Sequence, residues 1–175
     1  MKEYIVLQAQ REICTQIIFA LAAYDNITKK AEIDRVTIHS SIHSFLTHCS
    51  NISRLLWSSA RRGSIKSEIC CDLASVLEIP NLPLLADRDL RNDLDHYDER
   101  LVSWIKEAYP VRMSVSDLTV GDITVKGRPG TKHLRHYDPS TTVYTFENHK
   151  TVLKDLRQEL LGLQKFLDCF RLQDQ

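Results

Sequence analysis

The chain has no apolar run near the roughly 18 residues that a membrane-spanning helix needs. Its first residues, MKEYIVLQAQREIC, lack the long apolar core of a secretory leader, so none is expected. Glycine and proline are scarce, at five each, which excludes a linker or a low-complexity array. Neither charge is in excess: 23 basic residues stand against 23 acidic ones. A protein that coats nucleic acid through bulk electrostatics is therefore excluded, while a local basic patch is not. No C-x-x-C pair occurs, the five cysteines are odd in number, and Cys70 and Cys71 are adjacent. That usage leads us to expect reduced thiols and a cytoplasmic protein rather than a disulfide framework. What remains is 175 residues, 43% hydrophobic and 26% charged, enough for a single domain with a real core.

The apolar spacing is mostly helical. Ile5, Ala9, Ile13, Ile17 and Leu21 recur at helical intervals, and "DNIT" at 25–28 reads as the break after them. Ile38, Ile42, Phe45, Cys49, Ile52 and Leu56 alternate steps of four and three, a seam fit to lie along a neighbouring helix, with its end expected near "RRGS" at 61–64. A shorter helix is predicted from about 64 to 77, before Pro80. A fourth is predicted from about Asp87 to Pro110, with Leu90, Leu94, Tyr97, Leu101, Trp104 and Ala108 as its apolar stripe. The texture then changes. "VRMSVSDLTVGDITV" alternates apolar and polar residues around Gly121 and reads as a hairpin; "KGRPGTKHLRHYDPS" reads as a loop and "TTVYTF" as a strand. A last helix is predicted over about 150–171, with Val152, Leu156, Leu160, Leu163, Leu167 and Phe170 inward. The expected architecture is one mainly α domain over 1–175: a helical core at about 1–110 and 150–171, with a small antiparallel β-meander at about 111–147 before the C-terminal helix.

The fourth helix carries "RNDLDHYDER", residues 91–100. At 100° per residue, with Leu90 at zero, Asn92 and His96 fall near 200° and 240°, opposite the apolar stripe, and Arg91 falls to one side. His96 is thus expected to face solvent, a partner subunit or a ligand. A charge run on a helix is more often a solvated face, and Asp87 and Arg91 are spaced to pair within it.

"RNDLDH" resembles the signature of the HEPN superfamily: an arginine, a polar residue after it, and a histidine beyond a gap of four to six residues. Here the gap is four and Asn92 supplies the polar residue. The resemblance implies a HEPN-like helical bundle, often a homodimer that pairs the motif helices, and metal-independent cleavage of RNA with no cofactor. It also implies roles: Arg91 for charge on the phosphoryl oxygens, His96 for proton transfer and Asn92 for positioning. Members often belong to toxin–antitoxin or defence systems, so an antitoxin-type partner is implied as well. The alternative is a non-catalytic HEPN-like module that binds nucleotide, RNA or protein. The acidic motif helix favours that alternative, since Asp87, Asp89, Asp93, Asp95, Asp98 and Glu99 outnumber Arg88, Arg91 and Arg100.

Cations for RNA must then come from elsewhere. Residues 35–67 hold Arg35, Arg54, Arg61, Arg62 and Lys66 and, Glu68 lying just beyond, no acid. Residues 126–136 hold Lys126, Arg128, Lys132 and Arg135 with His133 and His136, again without an acid. Arg61, Arg62, Lys132 and Arg135 are the substrate-binding candidates. Other candidates are weaker. His39 and His43 have zinc spacing but no metalloprotease glutamate between them, and read as polar positions on an amphipathic helix. "GRPG" lacks the lysine of a phosphate loop. Cys70 and Cys71 read as packing residues, as do the strand aromatics Tyr137, Tyr144 and Phe146.

Overall fold

A computed structural model describes residues 2–28, 34–57, 73, 76–87, 89, 92, 96–108, 115–121, 132–147 and 149–169. Within these the chain is mainly helical, with a small sheet before its last helix. Helix α1 runs over Lys2–Thr28 and α2 over Arg35–Leu56. They pack lengthwise. Ile13, Ile17 and Ala20 of α1 meet the predicted α2 seam, and Ile38, Ile42, Phe45, Cys49, Ile52 and Leu56 are all buried. Tyr24 stands edge-on to Phe45 at 5.4 Å between ring centres.

Helix α1 continues through "DNIT" instead of stopping there. Ile27 is buried, so the last turn has an apolar anchor, and the Thr28 hydroxyl bonds back to the carbonyls of Tyr24 and Asp25. Helix α2 starts at a strong cap: the Asp34 carboxylate accepts from the amides of Val36 and Thr37 at 2.8 and 3.1 Å. A bond from the Thr37 hydroxyl, with those from the two amides, holds Asp34 below the ordinary carboxylate range. Helix α2 ends at Leu56, short of the predicted "RRGS".

The short helix α3, Pro83–Ala86, is held from a distant element. Glu159, on helix α5 (Leu153–Phe166), accepts from the Leu84 and Leu85 amides at 3.0 and 2.8 Å, the donors that a helix start leaves open. Of the predicted third helix, Leu73 and Val76 are described as helical. Of the predicted fourth, the long described piece is α4, Tyr97–Ala108, with Trp104 buried and Tyr97 and Leu101 packed against the core.

The strands are β1 Val115–Ser116, β2 Thr119–Val120, β3 Lys132–His133, β4 Arg135–Asp138, β5 Val143–Phe146 and β6 His149–Val152. The antiparallel meander is β4–β5–β6, with Tyr137 opposite Tyr144 and Phe146 opposite His149. The β4–β5 turn is built by Asp138, which accepts from the Ser140 amide and from the Ser140 and Thr141 hydroxyls. Two sequence expectations change here. Of the hairpin expected around Gly121, the side after it lies outside the described residues; on the side before it, β1 pairs with β3 and β2 with β4, both in parallel. "KHLRHYD", expected in a loop, forms β3 and β4, because Leu134 and Tyr137 are buried and draw the segment onto the core. The last helix begins at Leu153, not 150, since residues 149–152 complete the sheet as β6; Val152 is exposed rather than inward. Leu156, Leu160, Leu163 and Leu167 are buried as expected.

The expectation of reduced thiols is overturned for one pair. Cys14 of α1 and Cys169, just past α5, form a disulfide across 155 residues, with Cα atoms 5.3 Å apart. Both are buried, and Gln10 adds a bond to the Leu167 carbonyl at 3.2 Å. Cys49 remains a free, buried thiol, which burial pushes well above its ordinary pKa. No helix among the described residues is long and apolar enough to cross a membrane.

A cross-link that closes so long a loop restricts the unfolded chain by about 5 kcal/mol in the loop-entropy model. We expect reductant, or Cys169→Ser, to lower the urea midpoint markedly without changing helical content in the absence of urea. An unchanged midpoint would show that the clasp adds nothing to stability.

Candidate functional site

Asn92 and His96 stand one helical turn apart. His96 donates its amide to the Asn92 carbonyl at 2.9 Å, and its own carbonyl accepts from Arg100 at 3.0 Å, so the turn runs straight into α4. Both Asn92 and His96 are exposed. The His96 side chain, at 57% exposure, has its Nδ1 3.5 Å from the Glu99 carboxylate. Arg91, Arg61 and Arg62 lie outside the described residues, as do Cys70 and Cys71. Lys132 is described by its backbone alone, as the first residue of β3.

Arg135 is placed otherwise than the loop reading supposed. It begins β4, and its Nε donates to Asp117 Oδ1 at 2.8 Å while a terminal nitrogen bonds Oδ2. The flat guanidinium also stacks 5.2 Å over the ring of Tyr97. Tyr97 follows His96 directly and its ring meets Phe146 of β5. The sheet and the motif turn therefore adjoin through Arg135 and Tyr97.

Beside this contact lies a cluster that the sequence reading did not assemble. Leu118 adopts a left-handed φ of 52°, unusual for a residue with a bulky side chain, and the Asp117 carboxylate holds its amide at 2.8 Å. This bend delivers Thr119 to the centre. Its hydroxyl lies 3.2 Å from His133 Nδ1, 2.9 Å from His136 Nδ1 and 3.2 Å from the Arg135 carbonyl. Its carbonyl accepts from His39 Nε2 of α2 at 3.1 Å. His39 and His136 are buried; His133, Asp117 and Arg135 are half-buried.

The electrostatics follow from this packing. Burial is the largest influence on His39 and pushes its pKa down, against the bond to Thr119 that favours the charged ring. Neutral His39 must carry its proton on Nε2, since a carbonyl only accepts; its buried Nδ1 has no partner. For Asp117, burial pulls upward, but the bonds from Arg135 and the Leu118 amide, with the guanidinium charge, outweigh it and set the carboxyl below its ordinary range. Arg135 is raised chiefly by its bond to Asp117.

Spacing alone concealed the cluster. His39 and His43 were paired on zinc spacing, yet His39 is buried against the sheet and His43 is exposed. His133 and His136 were counted only as members of a basic loop. The usable signal was Leu134 and Tyr137, apolar positions within "KHLRHYD" that mark a strand. Among the described residues no three His, Cys, Asp or Glu side chains are gathered to hold a metal ion. Tyr137, Tyr144 and Phe146 pack, as expected.

Because native His39 resists a proton that the unfolded chain accepts near pH 6.5, its contribution is complete above that pH and is lost as pH falls through the depressed native value. His48, also lowered by burial, acts in the same sense. We expect the unfolding free energy to fall between pH 7 and pH 5, and to fall less in His39→Gln; equal slopes for the two proteins would remove His39 from this account. The lowered carboxylates of Asp34, Asp117 and Asp138 act only in more acidic solution.

Comparison of the chain with family models, with curated proteins and with solved structures finds no match.

Proposed function

We propose that the chain is a metal-independent endoribonuclease of the HEPN type. The observation that supports this reading most is the exposed helical turn shared by Asn92 and His96, which abuts the sheet through Tyr97 and Arg135. An imidazole in that position is open to a ligand from solvent.

The chemistry runs by attack of an RNA 2′-OH on the adjacent phosphorus. His96 takes or returns a proton. Arg91 stabilises the charge that builds on the phosphoryl oxygens, and Asn92 orients the phosphate. The P–O5′ bond breaks, leaving a 2′,3′-cyclic phosphate and a free 5′-OH. One chain contributes one such histidine, so a homodimer through the motif-helix face would provide an acid and a base together. An antitoxin-type partner would then act by covering the same face.

The second reading, a non-catalytic module that binds RNA, nucleotide or protein, draws on the acidic motif helix and the zero net charge. Incubation with mixed RNA in excess chelator separates the two. Wild type is expected to leave cyclic phosphate ends, and Arg91→Ala and His96→Ala each to lose about 100-fold or more in rate. Folded wild type that cleaves no faster than these variants, across several RNAs, would leave the binding module as the surviving reading.

A further inference from the structure

The connection 117–121 lies between a helix and the sheet, and its residues are all half-buried, none fully. Within it β2 is the outermost strand of the described four-stranded sheet. Its hydrogen bond to the helical layer comes from His39 Nε2 of α2, which donates to the Thr119 carbonyl at 3.1 Å. That contact suits a neutral ring alone. The neutral imidazole has one N–H, used on Thr119, and a buried Nδ1 with no partner. A second proton would add an N–H donor with nothing to receive it, together with a charge shut away from water. Turning the ring over changes nothing, since an imidazolium carries two N–H groups and meets one carbonyl.

The groups around the ring come from four elements. Burial opposes a charge on His39 most; the Thr119 bond favours it, Arg135 of β4 opposes it, Asp117 favours it and His136 of β4 opposes it. The buried Tyr144 of β5 stands edge-on to the ring at 6.0 Å, and His133 of β3 reaches the same Thr119 from its hydroxyl side. The Asp117 carboxyl is held below its ordinary range, so it keeps its charge in mild acid. The backbone beside the joint is poised to move. Leu118 occupies the left-handed region at a φ of 52°, which a leucine leaves with a gain in energy. Asp117, before it, is fixed to Arg135 by two bonds. Beyond it, Thr119 and Val120 hold the sheet by short parallel pairing with β4, and the Gly121 amide donates to the Tyr137 carbonyl at 2.9 Å.

We propose that His39 is an acid-operated latch: when its ring takes a second proton, residues 119–121 swing away from α2 about Leu118 and the Thr119 cluster comes apart while the helices stay packed. Water then reaches the imidazolium. The Thr119 hydroxyl leaves His133 and His136, and Asp117 stays with Arg135 as the fixed end of the hinge. The bonds given up lie among half-buried groups that water can satisfy, which keeps the opening local. The Cys14–Cys169 bond and the buried seam of α2 involve none of the swinging residues. The device requires neither Arg91 nor His96. Its pH window follows from the sign of the linkage. In the open form the ring titrates at its ordinary value of 6.5, and in the closed form it resists the proton. The opening constant is therefore flat above pH 6.5 and rises as pH falls below it, by up to about tenfold per pH unit, until the closed ring itself titrates.

The test is residue-resolved amide hydrogen exchange of the whole chain by NMR between pH 7.5 and pH 5, corrected for the intrinsic exchange rate at each pH and repeated in low urea. The reporter is the Gly121 amide, and the references are the Ile17 and Phe45 amides within α1 and α2. Gly121 is expected to open far more often than the references at every pH. Its opening constant is expected to be insensitive to low urea, as local opening is, and to rise up to about tenfold per pH unit below about 6.5. His39→Gln keeps an Nε2–H donor for the Thr119 carbonyl but takes up no proton, and is expected to flatten the Gly121 profile. The proposal fails if Gly121 exchanges only together with Ile17 and Phe45, if its local opening ignores pH, or if His39→Gln retains the wild-type slope. The first two outcomes are read on wild type alone, so a poorly folded variant cannot shield the proposal.

Discussion

The hydrogen bond from His39 to the Thr119 carbonyl is the joint on which the site depends. It runs from the buried side of α2 to a strand of only two residues, β2, which has few ladder bonds of its own. A two-residue strand in parallel pairing is a weak element by itself. The buried imidazole gives it a fixed point on α2, which packs lengthwise on α1. Once Thr119 is fixed, its hydroxyl fixes His133 and His136, and the bend before it, at Leu118, fixes Asp117 against Arg135. The order of cause runs from helix to strand to site.

The same joint explains an otherwise costly arrangement. A histidine buried with one nitrogen unpartnered is unfavourable, and so is a left-handed leucine. The leucine lies in the connection 117–119 and the histidine holds that connection from α2, and both serve to aim polar side chains at one place. The core that sustains them lies elsewhere. Helices α1, α2 and α5 bury an apolar seam, and the Cys14–Cys169 bond closes α1 onto the end of α5. Glu159 then extends α5's reach to the start of α3.

The helical layer was legible in the sequence and the sheet much less so. The α2 seam and Leu156, Leu160 and Leu163 of α5 recur at intervals that only a helix buries on one face, so periodicity located them. The exposed turn of Asn92 and His96 was legible for the converse reason, its distance from the apolar stripe. Strand pairing has no such local signature. β2 pairs with β4 across a long gap, and nothing in "LTVGD" distinguishes a parallel partner from a hairpin partner. His39 was hidden because its partner is a backbone carbonyl eighty residues away, and a carbonyl belongs to every residue. The Cys14–Cys169 pair was hidden by the cysteine count, since an odd total with adjacent members says nothing about which two ends the fold brings together. Arg135 was picked out by charge, but its pairing with Asp117 depends on tertiary placement that charge runs do not encode.

Arg135 also links the two halves of the functional reading. A cation paired to a carboxylate loses most of its long-range pull on a polyanion, so it cannot act as a steering charge. What it retains is direction: bidentate pairing and the Tyr97 stack leave few orientations open to the guanidinium. The zero net charge and the acidic motif helix point the same way. An RNA held by this protein would be recognised by a few fixed groups at short range rather than gathered by a broad positive field. Binding of that kind has a shallow salt dependence and a strict geometric one. The contact between Tyr97 and Arg135 stands beside a two-residue strand that a buried histidine holds in place.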